Sequence, residues 1–151
     1  MPLVSHKGTL AIAAVIDIAI NSATRPVSAK ALATRHKLPP RHLEPVLQAL
    51  VHDGILEGIR GPHGGYKIAR EQAKITAKDI LISAGSIEAA DEPLPESHLV
   101  GAVVQPALAI AEQYFSAALR EITVADLVLR QTLRVRGSGL HSFDTHEAKI
   151  G

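Results

Sequence analysis

Apolar residues in the first fifty positions recur three and four apart, the spacing of one face of an α-helix. In "GTLAIAAVIDIAINS", Leu10, Ala14 and Ile18 form one such row and Ala13, Ile16 and Ile20 another, which predicts a buried helix from Gly8 to Ser22. "NSATRP" interrupts it. Ser28 is placed to cap a short helix over "AKALATRHK", with Ala31, Leu32 and Ala33 facing inward. "LPP" breaks the chain again, and Pro39 or Pro40 suits a helix's first turn. "RHLEPVLQALVHDG" then sets Leu43, Val46 or Leu47, Leu50 and Val51 on one face and closes on Gly54 as a C-terminal cap. Pro45 lies near its start, where a missing N–H does least harm.

After Gly54 the period changes. "ILEGIR" and "GYKIA" read as short strands joined by "GPHGG", whose glycines supply the positive φ that a tight hairpin turn needs. Helix, helix, helix, hairpin is the order of a winged helix-turn-helix. Thr76 and Asp79 then have capping-box spacing before "AKDILISAG", and the acidic "SIEAADEPLPE", broken by Pro93 and Pro95, predicts a loop. A long helix follows from about Pro106 to Glu121. Val103, Ala107, Ile110, Tyr114 and Ala117 form a stripe suited to a partner helix, and such a stripe favours a dimer seam over ordinary core. Thr123 and Asp126 repeat the capping spacing ahead of "ADLVLRQTLRVR", whereas "GSGLHSFDTHEAKIG" has no periodicity and predicts a mobile tail. The predicted fold is mainly α with a small β-hairpin wing. Residues 1–85 make a winged helix-turn-helix DNA-binding domain, 86–105 an acidic sensor-like loop, 106–136 dimerisation helices and 137–151 a flexible tail. No internal repeat is present.

Composition narrows the chemistry. At 151 residues with 46% apolar but only 3% aromatic content, the core must be built from Ala, Leu, Ile and Val. With no cysteine, disulfides, thiolate metal sites and cysteine nucleophiles are excluded, and so are cysteine-bound iron–sulfur clusters. No apolar run approaches the roughly 20 residues that span a bilayer, and no signal-peptide pattern opens the chain, so a cytoplasmic protein is expected. The net charge of +1 hides an asymmetry: residues 1–75 hold ten Lys/Arg against five Asp/Glu, and residues 76–151 six against ten. A basic half beside an acidic half predicts that the first meets a polyanion.

That polyanion has plausible contacts in two places. Arg41, His42 and Glu44 open the third helix, where such a helix reaches base edges. Arg41 can pair with guanine or a phosphate, and Glu44 can accept from cytosine N4. In "IRGPHGGYKIAR", Arg60 precedes a backbone nearly free of side-chain bulk, and a thin tip can carry an arginine into a minor groove. Lys67 and Arg70 on the returning strand could hold phosphates. A nucleotide-cradling loop is excluded by the absence of G-x-x-x-x-G-K-[ST] spacing. Glu88, Asp91, Glu92, Glu96 and His98 could offer oxygen and nitrogen ligands to a divalent metal, but without motif spacing a solvated acidic loop is the expectation. No nucleophile, base and orienting group occur together, so no enzyme is predicted. A protein-interaction adaptor is the alternative, and the cationic wing argues against it.

"LVSHKGTLAIAAVIDIAINS", "LPPRHLEPVLQALVHDGILEGIRGPHGGYKIAR" and "ITAKDILISAG" together resemble the IscR/NsrR/CymR-type bacterial regulators, the Rrf family. The matching pattern covers residues 3–85: S-x-K-x-x-L-A from Ser5, H-L-E at His42 and R-G-x-x-G-G-Y from Arg60. The resemblance implies a homodimer on double-stranded DNA, with a long C-terminal helix crossing onto the partner. It also implies that Arg41, His42 and Glu44 read the major groove and Arg60 enters the minor groove, with Gly61, Gly64 and Gly65 shaping the wing. Cluster-binding members carry three cysteines in the segment matching about 89–102. Here that segment is "AADEPLPESHLVGA", and Gln105 stands where a histidine ligand would be expected. The resemblance therefore implies a transcriptional regulator without a cofactor, answering to an effector protein or another signal. Pro39 and Pro40 replace the small polar residues that often begin the recognition helix, so the resemblance does not carry over which bases are read.

Overall fold

The computed structural model describes residues 3–87 and 96–147. In chain order these form α1 (His6–Asn21), α2 (Ala29–His36), α3 (Pro40–His52), β1 (Leu56–Ile59), β2 (Gly65–Ile68), a 3-10 turn (Gln72–Lys74) and α4 (Ala77–Ser83). A π-helical turn (Val100–Val104) then leads into α5 (Gln105–Glu121), followed by α6 (Val124–Glu147). No described helix is long and apolar enough to cross a membrane. The chain folds as predicted, mainly helical with one antiparallel hairpin.

Caps set most of these boundaries. The Ser5 hydroxyl accepts from the Gly8 N–H at 3.1 Å, so α1 begins at His6, ahead of the predicted Gly8. Ser28 caps α2 by accepting from Ala31, and Thr76 and Asp79 form the reciprocal capping box of α4. In α1, Ala11, Ala14, Val15 and Ile18 are buried. The second predicted row, Ala13, Ile16 and Ile20, is only partly covered and lines a groove against α6. Leu32 and Ala33 of α2 join the core with Leu43, Val46, Leu47 and Leu50 of α3. Pro45 lies inside α3, beyond its first turn, and has no N–H to return to the Arg41 carbonyl.

The hairpin pairs Leu56 with Ile68 and Ile59 with Gly65. Its outer edge is closed by the segment before α2: Val27 N–H donates to the Tyr66 carbonyl at 3.0 Å and Tyr66 N–H to the Val27 carbonyl at 2.8 Å. A second junction holds the C-terminal half. Ala77 N–H donates to Ile122 and Val124 N–H to Ile75, which anchors the α5–α6 bend on the start of α4.

Two predicted boundaries move. The segment expected as loop up to residue 105 is helical from His98 onward, and the predicted flexible tail is part of α6 as far as Glu147. No proline interrupts residues 124–147, and Gly137 and Gly139 each cost a helix only about 1 kcal/mol, so the backbone continues. The remaining loop residues 88–95 and tail residues 148–151 lie outside the described residues.

Gly8 marks the tightest helix contact. A Cβ there would meet the Ser86 side chain and sit 2.6 Å from Leu81 Cδ2, while Ser86 itself is fixed by the Ser5 hydroxyl at 2.8 Å. Overpacking costs about 1–3 kcal/mol, against a helix-propensity gain of about 1 kcal/mol at most. Gly8→Ala should therefore lower stability by about 1–2 kcal/mol in urea denaturation. An unchanged midpoint would show that α4 yields freely.

Candidate nucleic-acid interface

α3 is pinned through Leu43, Val46, Leu47 and Leu50, which turns Arg41, His42, Glu44, Pro45 and Gln48 to solvent. Gln48 was missed in the sequence, although its spacing of four from Glu44 places it on the same face. Pro39 is the N-cap and provides no side-chain acceptor, Pro40 has no N–H, and the His42 N–H donates to the Pro39 carbonyl at 3.0 Å.

The wing presents Arg60, Gly61, Pro62 and His63, all exposed. Its three glycines act differently. Gly61 has φ 119°, a conformation closed to most side chains. At Gly64 and Gly65 the constraint is space: a Cβ would strike the Ile59 carbonyl oxygen in the first case and lie 2.5 Å from the Val27 carbonyl oxygen in the second. Glycine thus makes the tip thin and lets it dock onto the strand beside it.

Among the described residues, the ion pairs involve none of Arg41, Glu44, Arg60 and Lys67. Arg41 and Arg60 are therefore solvated cations available to a polyanion. Lys67 is half-buried and stands across the sheet from Glu57. Arg70 departs from the expectation of a phosphate holder. Its guanidinium donates from Nε to the Gly54 carbonyl at 3.0 Å and from Nη2 to the Asp53 carbonyl at 2.5 Å, clamping the end of α3 to the returning strand. Of the residues singled out as possible metal ligands, Glu96 and His98 are exposed, and Glu88, Asp91 and Glu92 lie outside the described residues.

A polar cluster that the sequence did not announce joins α1 to α2. Asp17, 8% exposed, receives Arg35 Nε at 2.9 Å and Nη2 at 2.6 Å, Asn21 Nδ2 at 3.1 Å, and lies 2.9 Å from His36 Nε2. Burial pushes the Asp17 carboxyl up, but hydrogen bonds from Arg35, Asn21 and His36 outweigh it and hold the pKa below the ordinary value. The bond to Asp17 likewise raises the Arg35 pKa.

A helix pinned by its buried face, beside a thin cationic hairpin, defines a winged helix-turn-helix protein of the DNA-binding class. Residues 4–130 match the model of the Rrf2 family, described as "Iron-dependent Transcriptional regulator", and the chain belongs to that family. It is 30% identical to the "Putative HTH-type transcriptional regulator slr0846" of Synechocystis sp. over 142 residues, covering 89% of this chain and 95% of that one. The match to IscR of Klebsiella pneumoniae is 30% identical over 77 residues, covering 51% of this chain and 47% of that protein. Among solved structures, T. potens IscR superposes with a TM-score of 0.68 at 27% identity, covering 85% of this chain and 87% of that one. CymR of B. subtilis gives 0.67 at 26%, covering 86% and 98%. The chain is a DNA-binding transcriptional regulator, and not an enzyme.

Because the folded Asp17 pKa is depressed, its contribution to stability is complete above the unfolded value near 3.8 and is lost as pH falls through the lower folded value. Arg35 is 44% exposed on its side chain, so solvent screening limits the pair, and Asp17→Asn should cost about 1–3 kcal/mol near neutrality. Denaturation of both proteins across pH should show this gap shrink below about pH 4. A gap independent of pH would assign the loss to packing instead.

Proposed function

We propose that the protein is a homodimeric, sequence-specific repressor that reads a palindromic operator without an iron–sulfur cluster. The carrying observation is the wing: Arg60, exposed and in no ion pair among the described residues, stands at the base of a tip thinned by three glycines, in a chain that also exposes the N-terminal turn of α3. Arg60 enters the minor groove, where narrow width concentrates negative potential. Arg41, His42 and Glu44 read base edges in the major groove, Lys67 contacts the backbone, and Gly61, Gly64 and Gly65 keep the tip slender. Binding that covers promoter DNA excludes polymerase, which favours repression.

Dimerisation is supported by α5. Only Leu119 of this helix is buried, with Phe115 packed beside it, so contact with the rest of the chain is confined to its C-terminal end. Val103, Ala107, Ile110, Tyr114 and Ala117 are all exposed, with Tyr114 at 76%. An apolar helix of this length standing in water requires a cover, and a second copy supplies an identical stripe. Two-fold symmetry then matches an operator whose half-sites lie about one helical turn, or a small multiple, apart.

The donor set does not fit a thiolate-bound cluster, because the sequence contains no cysteine. The signal is accordingly an effector protein or small molecule acting on a cytoplasmic regulator.

Arg60→Ala should weaken binding to the operator by about 1–3 kcal/mol in titrations at fixed salt. Unchanged affinity would remove the wing from the interface. Ile110→Glu combined with Tyr114→Glu should convert the dimer to monomer in sedimentation and collapse operator affinity. A dimer that persists would place the seam elsewhere.

A further inference from the structure

The regulator reading leaves its signal without a receptor site, and one cavity, lined by none of Arg41, His42, Glu44 and Arg60, has the build of one. α1, α6 and the C-terminal end of α2 line a groove of about 660 Å³. That volume falls within the roughly 300–1,000 Å³ of small-molecule sites. Ile16 and Ile20 line it from α1, and Val135 lines it from α6, 61% exposed. These are apolar side chains left uncovered by the fold, on the α1 row that the main core does not use.

Polar and cationic side chains are interleaved with these apolar ones. Arg136, Thr132 and Gln131 line it from α6 and the pair Arg35–His36 from α2. Asp17 is the only carboxylate among the lining residues, and its two oxygens already take hydrogen bonds from Arg35 and Asn21 and face His36. Arg136 appears in none of the ion pairs among the described residues. The electrostatic balance of the groove is therefore positive, and a charged occupant must be an anion.

We infer that this groove binds a small organic acid, with an apolar body against Ile16, Ile20 and Val135 and a carboxylate directed to Arg136. A second copy of the chain is a poorer occupant. The exposed α5 stripe offers Val103, Ala107, Ile110 and Tyr114, none of which could neutralise Arg136. As an effector site, which rests on the regulator reading, the groove is well placed. Its walls are α6, which continues from the arm that carries the dimer stripe, and the end of α2, which packs against the recognition helix α3. A ligand that bridges these walls changes the angle between arm and DNA-binding helices, and any effect on DNA affinity is returned equally on ligand affinity.

Calorimetric titration of the full chain with octanoate and with 1-octanol, its uncharged counterpart, tests the site. Octanoate should bind one site per chain at least tenfold more tightly than 1-octanol. Arg136→Gln should erase that preference, and Val135→Trp, which fills the groove from an exposed position, should abolish binding of both probes. Both variants should keep the wild-type dimer mass and, with no probe present, wild-type DNA affinity. Equal affinity for the two probes, or a preference that survives Arg136→Gln, would overturn the proposal. So would Val135→Trp disrupting the dimer, which would make the groove a contact between copies. If octanoate behaves as expected while the wild-type chain retains no DNA, the site stands and the regulator reading falls.

Discussion

Two backbone hydrogen bonds between Val27 and Tyr66 decide where the wing points. A two-stranded hairpin alone is marginal in water, and its orientation relative to the helices would be loose. Pairing Tyr66 with the segment before α2 adds a third strand position and fixes the tip relative to α2 and, through α2, to α3. The contact demands glycine at 65, since a side chain would collide with the Val27 carbonyl. Arg70 secures the same unit from the other side by binding the Asp53 and Gly54 carbonyls just past α3. The hairpin is thereby tied to the segment before α2 and to the end of α3.

The charges follow a division of labour. Arg35 is bound to a buried carboxylate and Arg70 to backbone carbonyls, so each stiffens the scaffold. Arg41 and Arg60 have no such partner among the described residues and remain for an outside anion. The free basic excess of the first half is thus smaller than a count of residues suggests.

Local signals in the sequence were sufficient for most elements. Ser28 and the Thr76–Asp79 pair announce helix starts because a cap is a contact between residues three apart. The wing was readable because its glycines, Arg60 and Tyr66 fall within one short stretch. What escaped reading depends on distant partners. Asp17 and Arg35 are eighteen residues apart and carry no motif, so a buried ion pair could not be told from two surface charges. Arg70 resembled a phosphate ligand until Asp53 and Gly54 were seen at the end of α3. Ile16 and Ile20 fit a buried helix by period alone, yet they line an open groove with α6 and the end of α2, elements distant in the sequence. The end of α6 was misjudged for the opposite reason: a helix can run on through weak propensity where no proline stops it.

The central claim is that a two-fold pair of these surfaces reads a defined operator. Its most direct test is to sequence the genomic fragments retained by the purified protein as salt is raised. The account predicts a shared palindromic motif, with half-sites about one helical turn or a small multiple apart, still retained at moderate salt. Retained fragments that share no motif and are lost together as salt rises would contradict it.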